Sequence, residues 1–367
     1  MFNLLSSKIQ AFALDISDFS LKIVQLGSSS KRLTHFAYGQ TEIPEGLVEQ
    51  GEVKKEAELA TAIKKAISRL QKGKILTKYV AVSLPEEKSF VDILRLPALK
   101  KEEISQAVLF EAANYIPTPL DEVYLDFEII NSNVRGVVGG SGRQAGSNSV
   151  CEVLIAATPK KIVDAYIRTL KQAGLKPFLM EVESLSSVRA LVKKGVMHRP
   201  LLIIDFGQSH TSFAIFAGTS LRFTSTIPVS SKDLSALLMN QLKIDAQKAE
   251  AIKQTEGLWG DRKVLDAIIP ALTDLTEQIK KHLDYYHSHC PAGQASQKVE
   301  KILLCGGGAN LKGLAGFLGD SLGLRVELGN PWVNIFPPSS KEVLPITLEQ
   351  SMAYATALGL ALGTYSL

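Results

Sequence analysis

Two aspartates stand at matching points of a pattern that occurs twice, about half a chain apart. Asp15 lies in AFALDISDFSLKIVQL (Ala11–Leu26) and Asp205 in LLIIDFGQSHTSFAIF (Leu201–Phe216). Each aspartate ends an apolar run, has a small residue two positions on, and precedes a short hydroxyl-bearing turn and a second apolar run. This pattern predicts a β-hairpin whose turn offers backbone N–H groups, with a carboxylate at the end of the incoming strand. A phosphate needs such a nest of amides, and a phosphate-bound Mg²⁺ needs a carboxylate nearby. The expected chemistry is a hydrated Mg²⁺ held between Asp15 and Asp205. Ser17, Ser20 and Lys22 then face phosphate from the first turn, and Gly207, Ser209, His210 and Thr211 from the second. The plainer alternatives are an Asx-type bond capping each turn and a solvated Lys22 on an outer strand face.

Three further groups bear on this chemistry. Gly306-Gly307-Gly308 follows an apolar strand, and glycines let backbone pass close to a flat ligand, so this turn is a candidate for ribose or phosphate contact. Asn310 behind it is read as the N-cap of a helix starting near Leu311. Glu250 and Lys253 lie at i, i+3 on a predicted helix and point the same way; they form either a surface ion pair or a grip on ribose and base. In HSHC (His287 to Cys290) only His287 and Cys290 share a helical face and no fourth ligand is near, so a metal site is not expected there. No Ser/His/Asp or Cys/His arrangement points to a hydrolase.

The elements that must position these groups follow from periodicity. After the first hairpin come a strand (Lys31–Glu42), a helix with Leu59, Ile63, Ala66, Ile67 and Leu70 on one face, and a buried strand Tyr79–Leu84. The texture changes at Pro85. Strand Phe90–Leu96, helix Lys101–Tyr115, strands Val123–Ile130 and Val150–Ala157, helix Lys160–Ala173 and strand Pro177–Val182 read as one β-α-β-β-α-β module. Within it, the Gly- and Ser-rich spacer of residues 131–149 reads as a mobile loop on a hairpin. The second half has helices at Ser230–Lys243, Ala246–Gln254 and Ile268–His287, strand Ile302–Cys305, and an apolar helix from about Leu348. The fold class is α/β, with two lobes and an inserted α+β module.

Size and composition agree with this. A chain of 367 residues exceeds one ordinary core and expects two or more lobes. A net charge of +4 spread along that length does not mark a nucleic-acid binder. Three cysteines without CxxC spacing exclude a zinc ribbon or disulfide framework and point to a reducing compartment. No apolar run reaches the roughly 20 residues of a membrane helix, so a soluble chain with borrowed membrane attachment is expected.

The doubled loop with a late GGG turn resembles the actin-like ATPase superfamily of duplicated ribonuclease-H-like halves. The module between the hairpins resembles the 1C subdomain of its FtsA/PilM branch. FEAANYIPTPLDEVYLDF (Phe110–Phe127), GGGANLKGLAGFL, Asn330-Pro331-Trp332 and the terminal ALGLAL are similar to PilM-like proteins of type IV pilus assembly, over nearly the whole chain. The resemblance implies subdomain 1A at 10–83 plus 183–199, 1C at 84–182, 2A at 200–229 plus 300–367, and 2B at 230–299.

It also implies a cytoplasmic scaffold that binds ATP with Mg²⁺. Such a scaffold docks the cytoplasmic N-terminal segment of an inner-membrane PilN-like protein between 1A and 1C, and through it meets PilO and the pilus motor. One departure is Ser17, where such proteins usually carry glycine. No residue that must activate water is evident, so ATP binding with slow turnover at most is expected. Other readings of this superfamily are an FtsA-like filament former, which expects a basic amphipathic helix not present before Leu367, and a sugar or acetate kinase. The first residues, MFNLLSSK, resemble the segment that PilN proteins present, which makes self-occupancy of the groove a further expectation beside a frayed terminus.

Overall fold

The computed structural model describes residues 10–29, 32–97, 99, 101–135, 149–195, 197–289, 298–336 and 344–366. The first half opens with an antiparallel meander of β1 (Phe12–Ile16), β2 (Ser20–Ser29) and β3 (Arg32–Glu42). A short hairpin of β4 (Val48–Glu49) and β5 (Glu52–Val53) leads to α1 (Glu56–Ser68) and to β6 (Tyr79–Leu84), which runs parallel to β1. Then come β7 (Phe90–Pro97), α2 (Lys101–Ala112), β8 (Val123–Arg135) and β9 (Ser149–Pro159). The half closes with α3 (Lys160–Gln172), β10 (Lys176–Val182) and α4 (Glu183–Leu191).

The second half repeats the plan. β11 (Met197–Phe206), β12 (Thr211–Gly218) and β13 (Ser220–Ile227) form its meander. Helices α5 (Ser231–Leu242), α6 (Ala246–Thr255) and α7 (Arg262–His289) lead to β14 (Lys301–Cys305), parallel to β11. After α8 (Leu314–Leu322) come β15 (Arg325–Leu328), α9 (Leu348–Met352) and α10 (Ala355–Ser366). The sheet orders β10-β6-β1-β2-β3 and β13-β12-β11-β14-β15 are the same topology read from opposite edges.

That equivalence corrects one expectation. Strand Pro177–Val182, read as the end of the inserted module, pairs in parallel with β6 and is the fifth strand of the first sheet, the counterpart of β15. Helix α3 also leaves the module: its Ile162, Val163, Tyr166 and Leu170 join the core under α1 and β1. The module proper is a three-stranded sheet, β7-β9-β8, backed by α2. Strand alternation gives it two faces. Cys151, Val153, Ile155 and Ala157 of β9 meet α2, while Leu154 joins the central core of the molecule.

That central core lies between the two sheets. Ala13, Val24 and Ala81 come from the first sheet, and Leu201, Ile203 and Ala214 from the second. Between them pack α4 and α10, equivalent helices of the two halves, with Val188, Leu191, Leu358 and Ala361 all buried. The apolar C-terminal run is therefore the inside of the protein. A second difference concerns Asn310. A 3₁₀ turn spans Gly307–Asn310, and α8 starts only at Leu314 behind Gly313, whose φ of 84° no side chain caps. The 131–149 loop reading, the MFNLLSSK segment and Cys290 fall wholly or largely outside the described residues.

Candidate functional site

Both hairpin turns face one cleft between the lobes, with a volume of about 1420 Å³. Asp15, Ser20 and Lys22 reach it from the first lobe, and Asp205, Gly207, Glu250, Gly306, Gly307, Gly308 and Asn310 from the second. Ser17, Ser209, His210, Thr211 and Lys253 do not form its wall. Local hydrogen bonding accounts for each of these five.

The Ser17 side chain braces its own turn. Its Oγ accepts the Ser20 N–H at 3.2 Å and sits 3.0 Å from Ser20 Oγ. Thr211 is fully buried at the start of β12 and donates its hydroxyl to the Val229 carbonyl. Ser209 Oγ lies 3.2 Å from His210 Nδ1, and that imidazole turns beneath the cleft to first-lobe carboxylates, 3.0 Å from Glu87 and 3.8 Å from Glu183. Gly207 is required by the turn itself: a Cβ there would stand 2.7 Å from the His210 carbonyl oxygen.

Glu250 and Lys253 do pair, at 2.7 Å, but their roles divide. Glu250 faces the cleft, whereas Lys253 lies behind the wall and donates to the Ser231 carbonyl and hydroxyl at 2.9 and 2.8 Å. Burial lowers the Lys253 pKa, and the Glu250 carboxylate opposes that shift. The pair therefore ties α6 to the first turn of α5.

The glycine turn is shaped by the aspartate. Gly306 has φ 84°, and a Cβ on it would lie 2.3 Å from Asp205 Oδ1. A Cβ on Gly308 would strike the Phe206 ring, while one on Gly307 would meet only Ala353 at 3.9 Å. Asn310 donates Nδ2 to the Glu349 carbonyl, which pins the turn to α9.

Charge at the base of the cleft is mostly negative. Asp15 accepts Ser83 Oγ at 2.8 Å and pairs with Lys22 Nζ at 3.3 Å. Burial would lower the Lys22 pKa, yet Asp15, Asp205 and Glu183 outweigh it and hold the ammonium above its ordinary value. Burial raises the Asp205 pKa; Lys22 opposes this and Asp15 adds to it. Glu183, in the first turn of α4, is pushed well above the carboxylate range by burial and then by Asp15, Glu86 and Asp205. Glu183 has no motif around it to give it away, because the sheet, not the sequence, brings it beside Asp15.

Glu183 gives a pH signature. The folded state keeps its proton above 4.5, where the unfolded chain ionises, so its contribution is full below that value and lost as pH rises through the folded one. Glu183→Gln is expected to flatten this fall in unfolding free energy, whose limit for one proton is about 1.4 kcal/mol per pH unit. Urea denaturation at stepped pH, without divalent cation, measures it.

The residues present fit a magnesium nucleotide. Among the described residues no group of three or more His, Cys, Asp or Glu forms a metal cage. Mg²⁺ does not need one: it keeps several waters and takes one or two carboxylates plus phosphate oxygens. Asp15 and Asp205 would supply the carboxylates, Lys22 a cation, and Gly306-Gly307-Gly308 a stretch of wall without side chains. Lys232 crosses the mouth, pairing with Glu45 of the first lobe and standing 3.9 Å over the Phe19 ring.

A family model for type IV pilus assembly protein PilM matches residues 13–365. The chain belongs to the PilM family. Among solved structures, the PilM-PilN type IV pilus biogenesis complex matches this PilM-family chain with a TM-score of 0.75 and 27% identity, covering 97% of this chain and 99% of that one. EutJ of Carboxydothermus hydrogenoformans (TM-score 0.56, 16% identity, 96% and 89% covered) shares the fold. So does MreB5 of Spiroplasma citri bound to ADP (0.55, 12%, 97% and 96%). These neighbours establish the two-lobed actin-like ATPase fold.

The cell division protein FtsA of Neisseria meningitidis serogroup B is 27% identical over 205 residues, 47% of this chain and 49% of FtsA. The chain thus spans about half the length of that curated relative. No helix among the described residues is long and apolar enough to cross a membrane.

Proposed function

We propose that this PilM-family chain binds Mg-ATP between its lobes and acts as an adaptor for type IV pilus assembly. In this role it docks the cytoplasmic N-terminal segment of a PilN-like inner-membrane protein in a groove between subdomains 1A and 1C. The observation that carries the reading is the full-length likeness to a PilM-PilN complex. The nucleotide part is supported by Asp15, Lys22 and Asp205 converging on a cleft backed by Gly306. Bound Mg²⁺ would neutralise phosphate charge there, with turnover slow at most.

On this reading 1A comprises residues 10–85 and 160–199, 1C residues 86–159, 2A residues 200–229 and 300–367, and 2B residues 230–299. Membrane attachment is peripheral, through the partner, and the contact extends indirectly to PilO and the motor. Titration calorimetry tests both parts. Mg-ATP binds the wild type, and Asp205→Asn weakens it at least about 10-fold, the scale of one lost contact to a charged group. Absence of ATP binding removes the nucleotide part. Absence of binding to a PilN-type N-terminal peptide, with and without Mg-ATP, removes the adaptor part.

A further inference from the structure

Trp259 closes the short 3₁₀ turn Gly257–Trp259 between α6 and α7, lines the cleft, and is 72% exposed. An indole this open on a cleft wall presents a large flat apolar face with a polar N–H at its edge. Yet its setting is tightly built. Gly257 has φ 52°, and a Cβ on it would lie 2.5 Å from the Lys312 carbonyl oxygen. Leu258 N–H donates to that same carbonyl at 2.8 Å, and Lys312 N–H donates to the Lys253 carbonyl at 3.0 Å. A Cβ on Gly313 would stand 3.2 Å from Trp259 Nε1, so the absence of one lets the indole edge seat there. The Lys312 ammonium lies 4.9 Å from the ring centroid, a cation–π contact that occupies one face. The orientation of the ring is therefore fixed while much of it remains open.

The segment that seats the indole is continuous with the glycine turn. Gly306 touches Asp205, the 3₁₀ turn Gly307–Asn310 follows, and Lys312-Gly313 meets Trp259. This turn and Leu311 lie between a carboxylate end at Asp205 and a flat apolar end at Trp259, and both ends are on the wall of the one cleft. A nucleotide has this same polarity: charged at one end, with a planar π-system at the other.

We propose that Trp259 is the stacking platform for the base of the bound nucleotide, with Lys312 holding the indole in place. The inference rests on the Mg-ATP reading above and adds the residue that receives the base. Stacking area favours a purine over a pyrimidine, and Trp259 contributes to base affinity without touching phosphate.

The chain has two tryptophans, and Trp332 is 1% exposed in the central core, so emission that changes with ligand reports on Trp259. Full-length wild type, Trp259→Leu and Trp259→Phe are titrated with Mg-ATP, Mg-CTP and Mg-tripolyphosphate. Emission is followed, and equilibrium dialysis measures binding independently. The proposal expects ATP to quench emission more than CTP, tripolyphosphate to leave it unchanged, and Trp259→Leu to lose about 10-fold in ATP affinity, as one base stack implies. It also expects Trp259→Phe to retain most of that affinity and tripolyphosphate binding to be the same in all three proteins. Equal ATP affinity in wild type and Trp259→Leu overturns the platform and leaves the nucleotide site standing. Equal losses for ATP and tripolyphosphate in Trp259→Leu also overturn it. Failure of the wild type to bind ATP in dialysis overturns the underlying reading, and the platform with it.

Discussion

Gly359→Ala is expected to destabilise the protein by about 3 kcal/mol, the upper end of the usual range for overpacking a tight interior. Gly359 lies in the middle of α10, where glycine is ordinarily unfavourable by about 1 kcal/mol relative to alanine. Here the neighbour decides otherwise. A Cβ at this position would stand 1.8 Å from the Ser186 carbonyl oxygen and 2.5 Å from its carbon, both backbone atoms of α4. Neither atom can swing aside, so the two helices must separate. Ser187 and Thr356 share a 3.0 Å hydroxyl contact, and Arg189 donates to the Gly359 carbonyl at 3.1 Å; both are disturbed by the separation. Gly316 is the internal control: it lies within α8 with nothing within 4 Å of its Cβ position. Gly316→Ala should be neutral or stabilising by up to about 1 kcal/mol. Urea denaturation of the pair separates helix propensity from close packing; equal effects would remove the argument from α4–α10 contact.

The doubled aspartate hairpins were legible because alternation, a terminal carboxylate and turn residues are local signals. Tyr79–Leu84 was legible for the same reason. What the sequence could not reveal lies in partner choice. Strand 177–182 has the right texture for the inserted module, but the duplicated plan needs a fifth strand beside β6, and it pairs there in parallel. Consistent use of the duplication, matching residues 176–182 to the strand after the glycine turn, is the signal that would have placed it.

The site divides in a similar way. Ser20, Lys22 and Gly207 reach the cleft, but Ser17 and Thr211 spend their hydroxyls on nearby oxygen atoms. A hydroxyl in a turn is as good a brace as it is a ligand, and composition does not distinguish the two. Asn310 looked like a cap, yet it closes a 3₁₀ turn and bonds Glu349, a residue 39 positions away. Glu183 and Trp259 carry no local motif and become visible only in the folded chain, where Glu183 feels the charges of Asp15 and Asp205 and Trp259 lines the cleft.

Glu152→Ala is the second large effect expected, also about 3 kcal/mol, because breaking a buried ion pair strands the remaining charge. Glu152 is the one β9 residue between Cys151 and Val153, and the period of 2 turns it away from the module core. It is fully buried on that other face. Arg95, its direct partner across β7, reaches Oε1 at 3.1 Å. Arg222 of β13, in the second lobe, reaches Oε2 at 2.7 Å and also donates from Nε to the Ala217 carbonyl. One carboxylate thus joins the inserted module to the lobe that carries Asp205. The Arg95 side chain is 37% exposed and can find water, which keeps the expected loss at the low end of the range for buried pairs. Arg222, at 13%, cannot do so as easily. The double variant Glu152→Ala/Arg222→Ala should therefore recover part of the loss, a coupling that independent surface charges would not show. Hydrogen exchange adds the structural readout: amides of β7, β9 and β13 should lose protection together in Glu152→Ala, while those of β1 and β6 do not. If exchange rises only within the module, the Arg222 bridge does not hold the two parts together.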